Sequence, residues 1–464
     1  MSFIAPKGFF GWRVMWAALV VAVFGWGVGF YGPPVFLHTL ATTRGWSIGL
    51  ISTAVTAHYL FGAFIVASMP AVYRKFGLAA TTKASAVSLA LGMLGWALAE
   101  APWQLFLATI ASGAGWAGMG AVAINTMIAR WFERQRPKAL SIAYNGASAG
   151  GVLLTPIWVA LIAEGGLAMA STVVGLVMVL VIWILCDRYF SKTPASLGTQ
   201  IDGDPGAATA PPRARSGIPE RPGPALWRSR AFVTYAGGFT VGLFVQVAII
   251  AHLISLLAPA LGTQGAGLAA GFATACAIAG RTLVGWFLSP TADRRWAAAA
   301  TYVVQAAGSL VFIVAAGDSV PLLLLGVLLF GVGIGNVTSL PPLIAQAEFA
   351  QSDVARAIAL ATAIAQASYA FAPAIFGLIR ELPEGVLATS NVTLFFVVAA
   401  TLQIVAATIY WAGRSGDQAL PQGEARGRAR QGTQDACRPN ARSLVTDAQK
   451  RVGNRGDRTR ARSR

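Results

Sequence analysis

The chain has 464 residues, of which 56% are hydrophobic and 11% charged, and its formal net charge is +17. Soluble domains carry about 25% charged residues, so this composition argues against a water-soluble enzyme and for repeated burial in lipid. Three scattered cysteines, Cys186, Cys276 and Cys437, give no disulfide framework.

Long apolar segments recur along the chain at roughly 14–37, 46–70, 84–99, 103–129, 139–163, 166–186, 231–257, 266–290, 296–317, 320–347, 357–379 and 388–412. About 20 apolar residues in a helix cross the ~30 Å hydrocarbon core, so each is read as one span. The first is too long for a signal-peptide core and lacks a cleavage site, so it stays as a span. The third is the shortest. The expected fold is all-α, a polytopic membrane protein of twelve transmembrane helices in two six-helix bundles.

Charge placement gives the orientation. Lys7 and Arg13, then Arg74, Lys75 and Lys83, then Arg130, Arg134, Arg136 and Lys138, then Arg294, Arg295 and Arg356 fall at alternate connections. The intervening connections carry only Arg44 and Arg380 as basic residues. The positive-inside rule then puts both termini in the cytoplasm. Trp12, Trp46, Trp103, Trp131 and Trp411, at segment ends, read as interfacial anchors.

The chain divides into an N-terminal bundle (1–190), a Pro/Gly/Arg-rich linker (191–230), a C-terminal bundle (231–412) and a basic tail (413–464). From Arg414 onward thirteen basic and five acidic residues alternate with Gly, Gln and Ser, with no apolar periodicity, which reads as disorder. No aromatic residue lies among those arginines to stack a base, so the positive charge points to anionic membrane lipids rather than nucleic acid. The two bundles look like copies. Phe132 and Pro156 recur as Phe349 and Pro373, and Glu164 as Glu381, all at an offset of 217. Two six-span repeats joined by a cytoplasmic linker describe a secondary transporter with its site near the midplane.

Arg281 is the one formally charged residue inside any of the twelve segments. A charge at the bilayer centre costs roughly 2.5–3.5 kcal/mol on insertion scales, and no Asp or Glu in a span is there to neutralise it. Its expected partner is an anion from solution, since guanidinium forks bidentately onto a carboxylate. Tyr31, Asn145, Gln246, Asn336, Gln366 and Tyr369 are the polar span residues chosen as cavity liners. His58 and His252 are the candidate proton-coupling groups, because histidine titrates in the physiological range. The runs Gly25-Trp26-Gly27-Val28-Gly29 and Gly331-Val332-Gly333-Ile334-Gly335 follow no strand, so they are read as close helix packing and not as nucleotide loops. No Walker sequence, no Cys/His cluster and no catalytic triad context occurs; neither an enzyme, a cofactor nor a metal site is expected.

Several stretches resemble the major facilitator superfamily, over essentially the whole span 8–412. The run Pro70-Ala71-Val72-Tyr73-Arg74-Lys75-Phe76-Gly77 resembles its loop after the second helix, with Arg74 where an acid is usual; the matching loop of the second half keeps Asp293 and Arg294. The resemblance implies a gating role for Arg74, Lys75, Gly77, Asp293 and Arg294. Within the superfamily, Gly8-Phe9-Phe10-Gly11-Trp12-Arg13, the run from Trp131 to Leu140, Ala251-His252-Leu253 and Gly280-Arg281 resemble the bacterial monocarboxylate porter and oxalate/formate exchanger branch. This implies a small organic anion bound by Arg281, moved by alternating access across the bacterial inner membrane. The helix 357–379 has no cation, where oxalate exchangers carry a lysine, and one positive charge suits a monoanion. The anion then moves with a proton it carries itself, or in exchange for a counter-anion. Efflux of amphipathic compounds, and a transporter-like sensor signalling through its tail, are the alternative readings.

Overall fold

A bilayer core offers backbone groups no water, so apolar stretches satisfy their N–H and C=O groups as helices. The computed structural model describes residues 8–203, 224–288, 292–349, 353–382 and 390–414, and among them every regular element is helical. In chain order these are α1 (Phe10–Gly29), α2 (Gly32–Arg44), α3 (Ile48–Phe76), α4 (Leu78–Leu98), α5 (Pro102–Ala117), α6 (Ala121–Ala129) and α7 (Arg136–Leu185) in the first half. A short α8 (Pro224–Arg228) leads into the second half, with α9 (Arg230–Phe287), α10 (Arg294–Ala315), α11 (Val320–Glu348), α12 (Val354–Tyr369), α13 (Ala372–Arg380) and α14 (Asn391–Ala412). The expected tail, from residue 415 onward, lies outside the described residues, as do linker residues 204–223.

Ten segments among the described residues are long and apolar enough to cross a membrane. Two of them, Lys138–Phe190 and Arg230–Val284, run to 53 and 55 residues; at 1.5 Å per residue either would reach about 80 Å if straight. Neither is straight. Gly166 (φ 76°, ψ 173°) interrupts α7, and Gly262 (φ 68°, ψ 165°) interrupts α9. A residue with a Cβ avoids this backbone, which glycine adopts readily, so the chain turns at each. Gly262 stands 217 residues after the turn at Gly45 (φ 64°) (262 − 45 = 217), the repeat offset already seen in Phe132 and Phe349.

Two features differ from the sequence reading. The third span is not 84–99: α4 begins at Leu78 and carries Lys83 inside it. The Lys83 ammonium lies over the Trp183 ring, 4.4 Å from its centroid, and meets Asp187 at 2.5 Å. A long basic side chain reaches back to such partners from within a helix, so the charge does not end the span. Trp131 is not an interfacial anchor. It is 1% exposed and packs against Phe9 and Phe10, closing the end of the first bundle beside the linker.

Prolines explain the break after α1. Pro33 and Pro34 have no N–H, so the carbonyls four residues earlier, Gly29 and Phe30, lose their helical donors. Consecutive residues of α3 supply replacements: His58 Nε2 donates to the Gly29 carbonyl at 2.9 Å, and the Tyr59 hydroxyl to the Phe30 carbonyl at 3.1 Å. The break leaves Tyr31 between two helix ends.

The start of the linker is clamped to the first half. Asp202, at φ 62°, is 8% exposed. Its carboxylate accepts from the backbone N–H groups of Glu133, Arg134 and Gln135 at 3.3, 2.7 and 3.3 Å, at the entry to α7. A carboxylate at unsatisfied helix-start N–H groups is both a cap and a favourable charge. Asp202→Ala is expected to speed tryptic cleavage at Lys192 several-fold while lowering stability by only about 1 kcal/mol, the usual worth of a cap. Cleavage at the wild-type rate would show that Asp202 does not hold the linker.

The halves meet through α2 and α7 on α9, and through α3 on α12 and α13. Four hydrogen bonds between them lie from the middle of the body to the end carrying Gly45 and Gly262. His38 Nε2 meets Thr263 Oγ1 at 3.3 Å, the Gly49 N–H donates to Glu381 at 2.7 Å, and the Ala374 N–H to Thr56 at 3.1 Å. The innermost is the bond that joins α7 to Arg281.

Candidate functional site

The position of Arg281 begins with glycines. A Cβ at Gly335 would sit 2.2 Å from the Ala277 carbonyl, and one at Gly280 would sit 2.1 Å from the Val332 carbonyl. Only bare backbone fits there, so α11 and α9 touch main chain to main chain. The glycine run read as close helix packing does that here, and it delivers the Gly335 carbonyl to Arg281 Nε at 3.3 Å. Arg281 Nη1 reaches across the halves to Asn145 Oδ1 of α7 at 3.5 Å. Both bonds are long and both acceptors are neutral. Among the described residues no carboxylate pairs with Arg281, and most of its five donors have no acceptor.

Next to Gly335, Asn336 is 2% exposed and gives its amide to the Val332 carbonyl (3.3 Å) and the Gly280 carbonyl (3.5 Å), leaving its own oxygen without a partner. Tyr31 and Thr155 from the first half and Ile250, Thr274 and Ile334 from the second line a small cavity of about 20 Å³. The Tyr31 ring lies against Gly151, where a Cβ would stand 2.8 Å from the ring and 2.7 Å from the Thr274 methyl. Tyr59 and Tyr369 meet edge to face across the halves at 5.9 Å, and Tyr59 also contacts Phe30. A guanidinium on a neutral, largely aromatic and aliphatic wall can orient one carboxylate and cover a small apolar body.

Of the residues picked from sequence, Arg281, Asn145, Asn336 and Tyr31 come together, and Tyr369 joins through Tyr59. Gln246 does not. It is 3% exposed and accepts from Gln305 Nε2 at 3.3 Å inside the second half, which is the usual fate of an amide in a helix bundle. Gln366 is half-buried, and its side chain has no hydrogen bond among the described residues. Tyr59 and Thr274 were missed. A tyrosine beside the histidine at mid-helix was the available signal for Tyr59, whereas Thr274 has none.

The histidines are engaged. His58 is fully buried, with Nδ1 2.8 Å from the Ser112 hydroxyl and Nε2 bonded to the proline-freed Gly29 carbonyl. His252 bonds the Pro373 carbonyl through Nε2 (3.0 Å) and faces Arg380 through Nδ1 (3.4 Å). His58→Gln is expected to lower the melting temperature and leave the shape of the uptake–pH curve unchanged between pH 5.5 and 8. A flattened curve would restore His58 as a titrating group.

The loops differ from the expected acid–base pairing. Asp293 does not pair with Arg294. Its carboxylate caps α10 through the Arg295 and Trp296 N–H groups (2.9 and 3.1 Å) and pairs with Arg414. The buried ion pair at this end is Arg295 with Glu348, which two bonds of 2.6 and 2.7 Å join. A capping carboxylate is drawn to N–H groups two and three residues on, which leaves the basic residues to find other partners. Arg74 and Lys75 are exposed, and Lys75 lies over the Phe76 ring at 5.1 Å. Gly77 holds φ 80° between α3 and α4.

A family model described as Major Facilitator Superfamily matches residues 15–373. The chain belongs to the major facilitator superfamily. It is therefore an integral membrane protein of a family of transporters, as its apolar helices require. The superfamily fold is also that of the xylose transporter XylE from E. coli in its inward-open conformation, with a TM-score of 0.66 and 14% identity over 88% of this chain and 98% of that one. The nucleoside transporter NupG gives 0.66 and 11% over 87% and 98%. A bacterial homolog of the human lysosomal transporter Spinster, inward-facing and occupied, gives 0.63 and 15% over 88% and 97%. At these identities the likeness is one of fold. No curated protein matches the chain.

Proposed function

We propose that this superfamily member is a secondary active transporter of a small organic monocarboxylate, with Arg281 binding the carboxylate. The observation that carries the reading is the pair of weak, neutral contacts on Arg281, to Gly335 and Asn145, with no carboxylate paired to it among the described residues. A carboxylate offers the guanidinium two short charge-assisted bonds in place of two long neutral ones. Because Asn145 belongs to the first half and Gly335 to the second, an anion that draws Arg281 off Asn145 also loosens the innermost bond between halves. Substrate binding then couples to the rocking that alternating access requires.

The glycine turns in α7 and α9 support twelve crossings, each long helix serving as two spans, with bundles at 1–190 and 231–412 around the linker 191–230. Charge placement supports cytoplasmic termini, so the end carrying Gly45 and Gly262 is external and the site opens to the cytoplasm here. The branch resemblance supports a bacterial inner membrane. With no carboxylate paired to Arg281 among the described residues and His58 and His252 both engaged, the anion moves with its own proton or against a counter-anion.

The test is uptake of labelled monocarboxylates into proteoliposomes, with the corresponding amides as neutral controls. Saturable uptake of acids but not amides is expected. Equal uptake of both would end the carboxylate reading, and binding without uptake would favour a sensor.

A further inference from the structure

A second cation stands at the seam between the halves with its donors unspent. Arg380 ends α13 and is half-buried. One nitrogen does all its bonding: Nη1 donates to the Ser255 hydroxyl at 2.5 Å and faces His252 Nδ1 at 3.4 Å. These partners are themselves fixed, since Ser255 donates to the His252 carbonyl at 2.8 Å and His252 Nε2 is held by the Pro373 carbonyl. The opposite edge of the fork, Nε and Nη2, has no partner among the described residues. The adjacent acid does not close the pair, because the Glu381 carboxylate crosses to the first half and accepts from the Gly49 N–H in the first turn of α3. His38 of α2, bonded to Thr263, lies within electrostatic reach of Arg380. Arg380 therefore stands one residue from the Glu381–Gly49 bond between the halves, with the Nε and Nη2 edge of its fork unpartnered among the described residues.

We propose that Arg380 is an external receiving site for the carboxylate of an incoming anion, separate from Arg281, with Ser255 and His252 positioning its free edge. The proposal rests on the anion-transport reading above for its direction of travel, but not for the existence of the site. A carboxylate fits Nε and Nη2 bidentately, the geometry for which guanidinium is pre-organised. Glu381 is engaged by its own bond to Gly49, so among the described residues the neighbouring carboxylate is held at a latch between the halves and makes no hydrogen bond to the fork. As the halves part, that latch breaks on the same side, and the anion held at Arg380 faces the opening that leads inward.

Two measurements test this in proteoliposomes of known sidedness, using lactate and benzoate as probes. First, modification of Arg380 by external phenylglyoxal, read by peptide mass spectrometry, should be slowed by either anion and not by the matching amide. Protection should persist in Arg281→Gln. Second, Arg380→Gln should raise the KM for entry from the external face by about a hundredfold or more, the loss of a bidentate pair of charge-assisted bonds, and leave the KM from the internal face unchanged. Arg380→Lys should fall between, keeping charge and the Ser255 bond without the fork. Absence of protection at the highest anion concentration the vesicles tolerate overturns the proposal whether or not transport occurs. An equal rise in KM on both faces overturns it too, because Arg380 would then act through the fold. Protection in a protein that moves no monocarboxylate would end the transport reading and leave the external site standing.

Discussion

Arg281→Gln is expected to bring monocarboxylate uptake to background while the protein melts no earlier than the wild type. The two halves of that result come from different physics. A hydrogen bond to a charged group contributes about 1.5–3 kcal/mol, and every 1.4 kcal/mol is a factor of ten in affinity. Losing a bidentate pair of such bonds therefore weakens binding by at least about a hundredfold. Stability should stay put. The contacts that Arg281 makes in the folded protein are long and neutral, at 3.3 and 3.5 Å, so their loss removes little from the fold. Arg281→Lys keeps the charge without the fork and should retain uptake with KM raised about tenfold. A large fall in melting temperature for Arg281→Gln with uptake intact would make Arg281 a structural residue and remove it from the site.

Breaking the Arg295–Glu348 pair should give the largest loss of stability. Arg295 is 1% exposed and bonds through all three guanidinium nitrogens: Nε and Nη2 on Glu348, Nη1 on Thr234 at 2.8 Å, and Nη2 on the Ala231 carbonyl at 2.7 Å. Removing one partner of such a pair leaves an uncompensated buried charge and costs about 3–5 kcal/mol. Arg295→Ala and Glu348→Gln should each show this as a drop in melting temperature in detergent. The repeat supplies the control. At the offset of 217 the first half has Leu78 for Arg295 (295 − 217 = 78) and Trp131 for Glu348 (348 − 217 = 131), both buried. One half closes this corner with apolar packing and the other with charge. Arg295→Leu combined with Glu348→Trp should therefore lose less than either single change, since apolar replacement of a buried pair is often close to neutral. A double variant as unstable as the sum of the singles would show that the corner depends on the ion pair itself.

The distribution of these residues shows how far the chain could be read without its fold. Spans were legible because a run of twenty apolar residues is a local property, and the 217-residue repeat because it is a count along the chain. Even there Lys83 misled, since hydropathy registers a charge and not the Trp183 and Asp187 that accommodate it. The roles of His58 and Tyr59 were written in the chain, but in two places. The donors sit in α3, while Pro33 and Pro34, which create the need for them, sit in α2. Nothing in either segment names the other. Gln246 and Asn145 look alike as isolated amides in apolar runs, and only the neighbouring helix separates a packing amide from one that faces Arg281.

Class and repeat are set by composition and period, and the isolation of Arg281 in its apolar run is a local property, so the sequence by itself determined that this is a helical membrane protein with Arg281 at issue. Which acceptors Arg281 meets, that Asp293 caps a helix while Arg295 takes the buried acid, and that Arg380 keeps an open edge beside Glu381 were decided by the tertiary structure. The physical reason is common to all three. Hydrophobic burial is non-directional and reads off local content, whereas hydrogen bonds and ion pairs need particular atoms within about 3 Å, and only packing brings residues hundreds of positions apart that close.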